Sequence, residues 1–291
     1  MNARTAFSIL LVGLVMLALP MAQAQEEGDS AAKAFTEGNA LLQKGDFEGA
    51  QKAFGEAARA PGATAEHQQK FQLVRRVLAM RAALGREENP EKWQQTAAAL
   101  RNFYYSHRLY EHLLALAQKM QERRPSPGSA TLVADALLLL ARDAEAEKAL
   151  EGIAAADRTP QASVLLGLAK GRLSKVDAAK QVLADIKVPE PVSPRFLADL
   201  ARLKVLCGDV EGGLATLTTA FEKTSTKGLA NFKEFVKNAP EFQNLPADAG
   251  LAKVLATQSK VDESGCSGAA GCGSCPKRGS CGAAKKPEET K

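Results

Sequence analysis

Residues 34–61 read AFTEGNALLQKGDFEGAQKAFGEAARAP, and the fold is decided in this stretch. Apolar residues recur on one helical face before and after a central Gly45-Asp46 turn signal, so the segment predicts two helices joined by a tight turn. Gly38 and Ala50, twelve residues apart, fall where two such helices would cross, and only small side chains let the backbones approach there. The same spacing returns in Ala134 with Ala146, Gly167 with Ala179, and Ala201 with Gly213. Turn signals stand between two of these pairs as well, at Ala141-Arg142 and Gly208-Asp209. Apolar residues follow the second small position at fixed offsets: Phe54 and Ala57, Leu150 and Ile153, Leu183 and Ile186, Leu217 and Ala220.

A second signal runs through the same region. Asn89-Pro90, Ser126-Pro127, Thr159-Pro160 and Ser193-Pro194 each place a capping residue before a proline, which is the signature of a helix start. The prolines are 37, 33 and 34 residues apart, a period that predicts a helical repeat array. The 37-residue step predicts that Pro90 opens a helix longer than its neighbours.

On these residues the chain resembles the tetratricopeptide repeat family. Gly38, Leu41, Phe47, Ala50, Phe54 and Ala57 carry the match best, and Leu166, Gly167, Val176, Ala179, Leu183, Ile186 and Pro191 nearly as well. The unit containing Leu100, Tyr104, Tyr110, Ala117 and Pro125 departs from the pattern. It has Arg101 and Leu113 where small residues are expected, which predicts a looser or shifted crossing. The expected organisation is an array over 31–227, with units near 31–62, 90–126, 127–159, 160–193 and 194–227. A degenerate unit is expected at 63–89, where Phe71, Val74, Val77, Leu78 and Leu84 suggest a long helix after Thr64. Residues 228–258 are expected to form capping helices, with Phe232, Phe235, Val236, Leu251, Val254 and Leu255 covering the last repeat.

The resemblance implies an all-α, right-handed α-solenoid whose concave groove binds a protein or peptide partner. It places Asn39, Asn102, Tyr105, Asp135, Arg172 and Arg202 on the groove side of the first helices. The lysine and asparagine arrangement with which some members clamp a C-terminal carboxylate is not reproduced, since Phe35 occupies one of its lysine positions. All three tyrosines lie between 93 and 110, and Tyr105 is the aromatic expected to face a ligand.

The two ends are different material. Arg4, an apolar run from Ala6 to Leu19 and Ala22-Gln23-Ala24 predict a cleaved export signal over 1–24, hence a periplasmic or secreted protein. A disordered linker is expected at 25–30. Residues 259–291 are rich in Gly, Ser, Ala, Lys and Glu and are expected to be disordered. They contain Cys266, Cys272, Cys275 and Cys281 in a C-x5-C-x2-C-x5-C pattern. Four thiolates so close suit a tetrahedral Zn²⁺ or another thiophilic metal. In an oxidising compartment an even number of close cysteines favours disulfides over a metal, with three possible pairings. A reactive thiol tether is the third alternative.

The net charge of +5 becomes +4 once Arg4 leaves with the signal, and the basic residues are scattered, so no nucleic-acid partner is expected. No stable membrane span is expected after cleavage. His67, His107 and His112 form no metal pair at helical spacing, and neither a nucleophile elbow nor a phosphate loop is present, so no enzyme is expected. Three readings of function compete: a peptide-binding scaffold, a metal- or thiol-handling protein acting through its tail, and a structural component of an envelope assembly.

Overall fold

Five turns in this protein close in the same way, and they carry the repeat. The computed structural model describes residues 30–247 and 249–261, and every regular element among them is helical. In the part before Pro160 these are α1 (30–43), α2 (Phe47–Arg59), α3 (Ala65–Leu84), α4 (Pro90–Ser106), α5 (Tyr110–Arg123), α6 (Pro127–Leu139) and α7 (Asp143–Glu151). From Pro160 onward come α8 (Pro160–Arg172), α9 (Val176–Asp185), α10 (Pro194–Leu206), α11 (Val210–Glu222), α12 (Thr226–Lys237), α13 (Pro240–Gln243) and α14 (Leu251–Leu255). The turns inside the pairs α1–α2, α4–α5, α6–α7, α8–α9 and α10–α11 each hold one left-handed residue. These are Gly45, Arg108, Ala141, Ser174 and Gly208, with φ between 56° and 90°.

The next amide in each turn donates back five residues. Asp46 N reaches Leu41 O at 3.0 Å and Leu109 N reaches Tyr104 O at 2.8 Å, while Arg142 to Leu137, Lys175 to Lys170 and Asp209 to Lys204 are each 2.9 Å. A left-handed residue after a helix satisfies the terminal carbonyls in this way. From Arg108 the left-handed positions step by 33, 33 and 34 residues. Backbone geometry therefore keeps a register that Arg108 and Ser174 hide in the sequence.

The proline signals mark helix starts. Asn89 Oδ1 accepts from the amides of Glu91 and Lys92, and Ser193 Oγ accepts from Phe196 N. Ser126 Oγ accepts from Ser129 N while Ser129 Oγ accepts from Ser126 N, a reciprocal cap. Helix α8 begins at Pro160, directly after Thr159. Helices α6, α8 and α10 have 13 residues each and α4 has 17, and these four extra residues account for the step of 37 against 33.

The small residues act as spacers, though not all between the expected helices. A methyl built on Gly213 would lie 3.0 Å from Ala201 O and 2.7 Å from Val205 Cγ2, so this glycine sets the α10–α11 crossing. One built on Gly167 would lie 2.6 Å from a Leu203 methyl, so Gly167 admits the following pair rather than its own partner helix. Between the first pair and α4 stands one 20-residue helix, α3, capped by Thr64. The segment is one helix and not a helix pair; it packs against α2 and α4 and buries chiefly Val74 and Val77.

The chain divides into two compact units, one ending at Thr159 and one beginning at Pro160. The first buries Phe47, Phe54, Val74, Val77, Leu100 and Leu150. The second is closed by α12–α14: Leu229, Val236, Ala239, Phe242 and Val254 pack on Leu197, Ala201, Leu217 and Phe221 of α10 and α11. Without that cover, these residues of the last repeat pair would face water. After α14 the chain returns to α11, where Lys260 N donates to Glu222 O at 2.8 Å and Lys260 Nζ meets Glu222 Oε1 at 2.7 Å. Residues 259–261, the start of the segment expected to be disordered, are thus seated on the fold. The predicted export signal over 1–24 and Cys266, Cys272, Cys275 and Cys281 lie outside the described residues. No helix among the described residues is long and apolar enough to cross a membrane.

Candidate functional site

Two arginines of the second unit converge on one carboxylate from far along the chain. Arg172 ends α8 and Arg202 lies in α10. Arg172 Nε donates to Glu241 Oε1 at 2.6 Å, and Arg202 Nε donates to Glu241 Oε2 at 3.0 Å. Glu241 belongs to α13, a four-residue helix that Pro240 opens and Phe242 anchors in the core. The network continues beneath it. Arg202 Nη1 donates to Asp199 Oδ1 at 2.9 Å, and Asp199 Oδ2 accepts from Arg195 Nε at 2.9 Å and Gln161 Nε2 at 3.0 Å. Phe235 of α12 lies under Arg195, its ring centre 4.6 Å from the guanidinium carbon.

The centre of the network is almost dry, while Arg195 at its edge keeps 27% of its side chain exposed. Side-chain exposure is 0% for Asp199, 4% for Arg202 and 1% for Glu241. Burial alone would raise the pKa of Glu241, but the charges of Arg202 and Arg172 reverse that and hold it at about 2. Asp199 is likewise held below its ordinary value, because Arg195 and Arg202 outweigh its burial. Arg202 is pushed up, since Glu241 and Asp199 outweigh the cost of burying its charge. Three guanidiniums face two carboxylates. Such a set holds an anionic side chain in place and offers neither a nucleophile nor a base of neutral pKa.

In the first unit, Phe47, Phe103, Tyr104, His107 and His112 form an aromatic cluster between α2, α4 and α5. The Arg81 guanidinium of α3 covers the Phe47 ring at 4.6 Å, and its Nη1 is buried without a hydrogen-bond partner. Burial lowers the pKa of His112 and the Arg81 charge lowers it further. Burial also lowers that of His107, whose Nδ1 bonds Phe103 O at 2.9 Å. These rings fill the α4–α5 crossing, where Arg101 and Leu113 replace small residues.

Of the residues expected to face a groove, the structure brings Arg172 and Arg202 together, already joined by Glu241. Asn39 is half-buried on α1 and donates to Phe35 O, and Asn102 is exposed on α4 and accepts from Arg101 Nη2. Tyr105 on α4 and Asp135 on α6 are half-buried and engaged. Sequence reasoning missed Glu241 and Asp199. The available signal was Ala239-Pro240-Glu241-Phe242, an acid set between apolar residues in a segment that had to cover the last repeat. Arg123 is also more than scattered surface charge: it stacks over Trp93 at 4.8 Å and donates to Glu87 O and Glu88 O. Among the described residues, no cluster of three His, Cys, Asp or Glu side chains is arranged to hold a metal. Burial raises the Cys207 thiol, which packs as a small apolar group.

In comparisons with known proteins, no family model and no curated protein matches this chain.

Proposed function

We propose that this protein is an exported scaffold of tetratricopeptide type that binds a protein or peptide segment along the groove side of its first helices. The right-handed stacking of its helix pairs belongs to this proposal. The observation that carries it is Glu241, a carboxylate of a distant segment held by Arg172 and Arg202, two of the positions that the resemblance assigns to the groove. This supports the reading, since α8 and α10 are first helices of their pairs and together hold a segment of the same chain. Asn102 and Tyr105, one helical turn apart on α4, supply a polar and an aromatic contact in the first unit. The test is recovery of the native partner by wild type and by the Asn102→Ala/Tyr105→Ala variant from the cell envelope. The scaffold reading expects a loss of at least about tenfold with the helical spectrum unchanged. Undiminished recovery favours a purely structural role.

A second reading rests on the four cysteines within sixteen residues. It makes the protein a metal- or thiol-handling one, with the helices serving to dock the tail. Metal analysis of the full mature chain against a chain ending at Val261, which keeps the Lys260–Glu222 contact, separates the readings. One thiophilic ion per chain, lost on truncation, supports the second reading; four oxidised thiols without metal remove it.

A further inference from the structure

The α13 segment sits in the second unit as a bound peptide sits on its receptor. Its own backbone is locally closed: the amides of Phe242 and Gln243 bond Ala239 O, that of Asn244 bonds Pro240 O, and that of Leu245 bonds Phe242 O. Its hold on α8 and α10 comes from side chains, chiefly the Glu241 carboxylate between Arg172 and Arg202 and the buried Phe242 ring. The preceding helix, α12, buries Leu229 and Val236 and leaves Phe232 and Phe235 only partly covered. An apolar plug would close a repeat end as well as an ion pair, or better, because two charges must be stripped of water to form the pair. What the charged joint adds is selectivity for a residue that carries an anion at one point and an aromatic ring at the next.

We propose that the Arg172–Arg202 clamp is a receptor for an acidic–aromatic peptide segment, that Pro240-Glu241-Phe242 is its resident occupant, and that a partner segment of the same chemistry takes the clamp by displacing α13. The inference rests on the scaffold reading and adds to it the ligand class and a built-in competitor. A glutamate followed directly by a large aromatic is the pattern recognised. The occupant lowers the apparent affinity by the fraction of time the clamp is filled, so release of α13 regulates binding.

The test uses the full chain and the octapeptide NAPEFQNL, residues 238–245, blocked at both ends. By fluorescence anisotropy the labelled peptide binds at least about tenfold more tightly than its copy with glutamine for glutamate. Saturating unlabelled peptide speeds hydrogen exchange at the chain's own amides of residues 242–245 and leaves α10 protected. Glu241→Gln in the chain weakens the occupant and tightens peptide binding about tenfold or more. The exchange measurement uses wild type, so it decides the matter even where that variant does not fold. Equal binding of the two peptides, or unchanged exchange at 242–245 with peptide in excess, makes α13 a permanent joint and overturns the proposal. Such a result alongside retained dependence of partner recovery on Asn102 and Tyr105 removes only the clamp and leaves the scaffold reading standing.

Discussion

Glutamine at position 241 would keep the shape of the side chain and remove its charge. Arg172 and Arg202 would still aim donors at both of its terminal atoms, and one of them would now meet an amide NH₂ instead of an oxygen. The size of the penalty follows from the carboxyl's pKa, held at about 2 against an ordinary 4.5. That difference is worth about 3 kcal/mol of folding stability at neutral pH. Breaking a buried ion pair by removing one partner costs a similar ~3–5 kcal/mol. Urea unfolding of Glu241→Gln is therefore expected to show a stability lower by about 3 kcal/mol with an unchanged slope. The sign of the pH dependence is fixed by the depressed folded value. The stabilisation is whole above the ordinary value and is lost as pH falls from about 4.5 through about 2. The gap between wild type and variant should be flat from roughly pH 5 to 8 and close below that range. A gap under ~0.5 kcal/mol, the level of an exposed pair, or one that ignores pH below 5, refutes the reasoning.

Two swaps between glycine and alanine should act in opposite directions to the usual helix rule. Gly213→Ala pushes a methyl to within 3.0 Å of Ala201 O, so it should destabilise by about 1–3 kcal/mol although alanine is the better helix former. Ala141→Gly relieves a left-handed residue at φ 56° and should raise stability by about 1 kcal/mol in thermal or urea unfolding. Arg123→Ala removes the guanidinium over Trp93 and the bonds to Glu87 O and Glu88 O. It should cost about 1 kcal/mol and shift the emission of the single tryptophan, while Arg124→Ala should leave that emission unmoved. Identical spectra for the two variants would count against the stacking.

What the sequence revealed was local. A capping asparagine or serine beside a proline determines a helix start within one turn, so Asn89, Ser126 and Ser193 could be read directly, as could the longer α4. Small residues at crossings were equally legible, though Gly167 showed only that some backbone approaches, not which one. The turns at Arg108 and Ser174 were hidden, because left-handed backbone there is imposed by the pairing of helices and not by the residue. The single helix α3 is ambiguous in sequence because its apolar face is narrow, with Val74 and Val77 its buried residues. The clamp was not legible at all. Glu241 lies 69 residues from Arg172 and 39 from Arg202, and an isolated charge reads as solvated until its partners are known.

On the proposed function, the first-helix side of the repeats holds a polypeptide partner. The most direct test of this is a photo-crosslinking residue placed at Asn102 of the full chain in the native envelope, with the exposed Gln118 of α5 as the control position. One partner peptide is expected to be joined at 102, identified by mass spectrometry, with none at 118. Equal crosslinking from both positions, or none from 102 with crosslinks at 118, would contradict it.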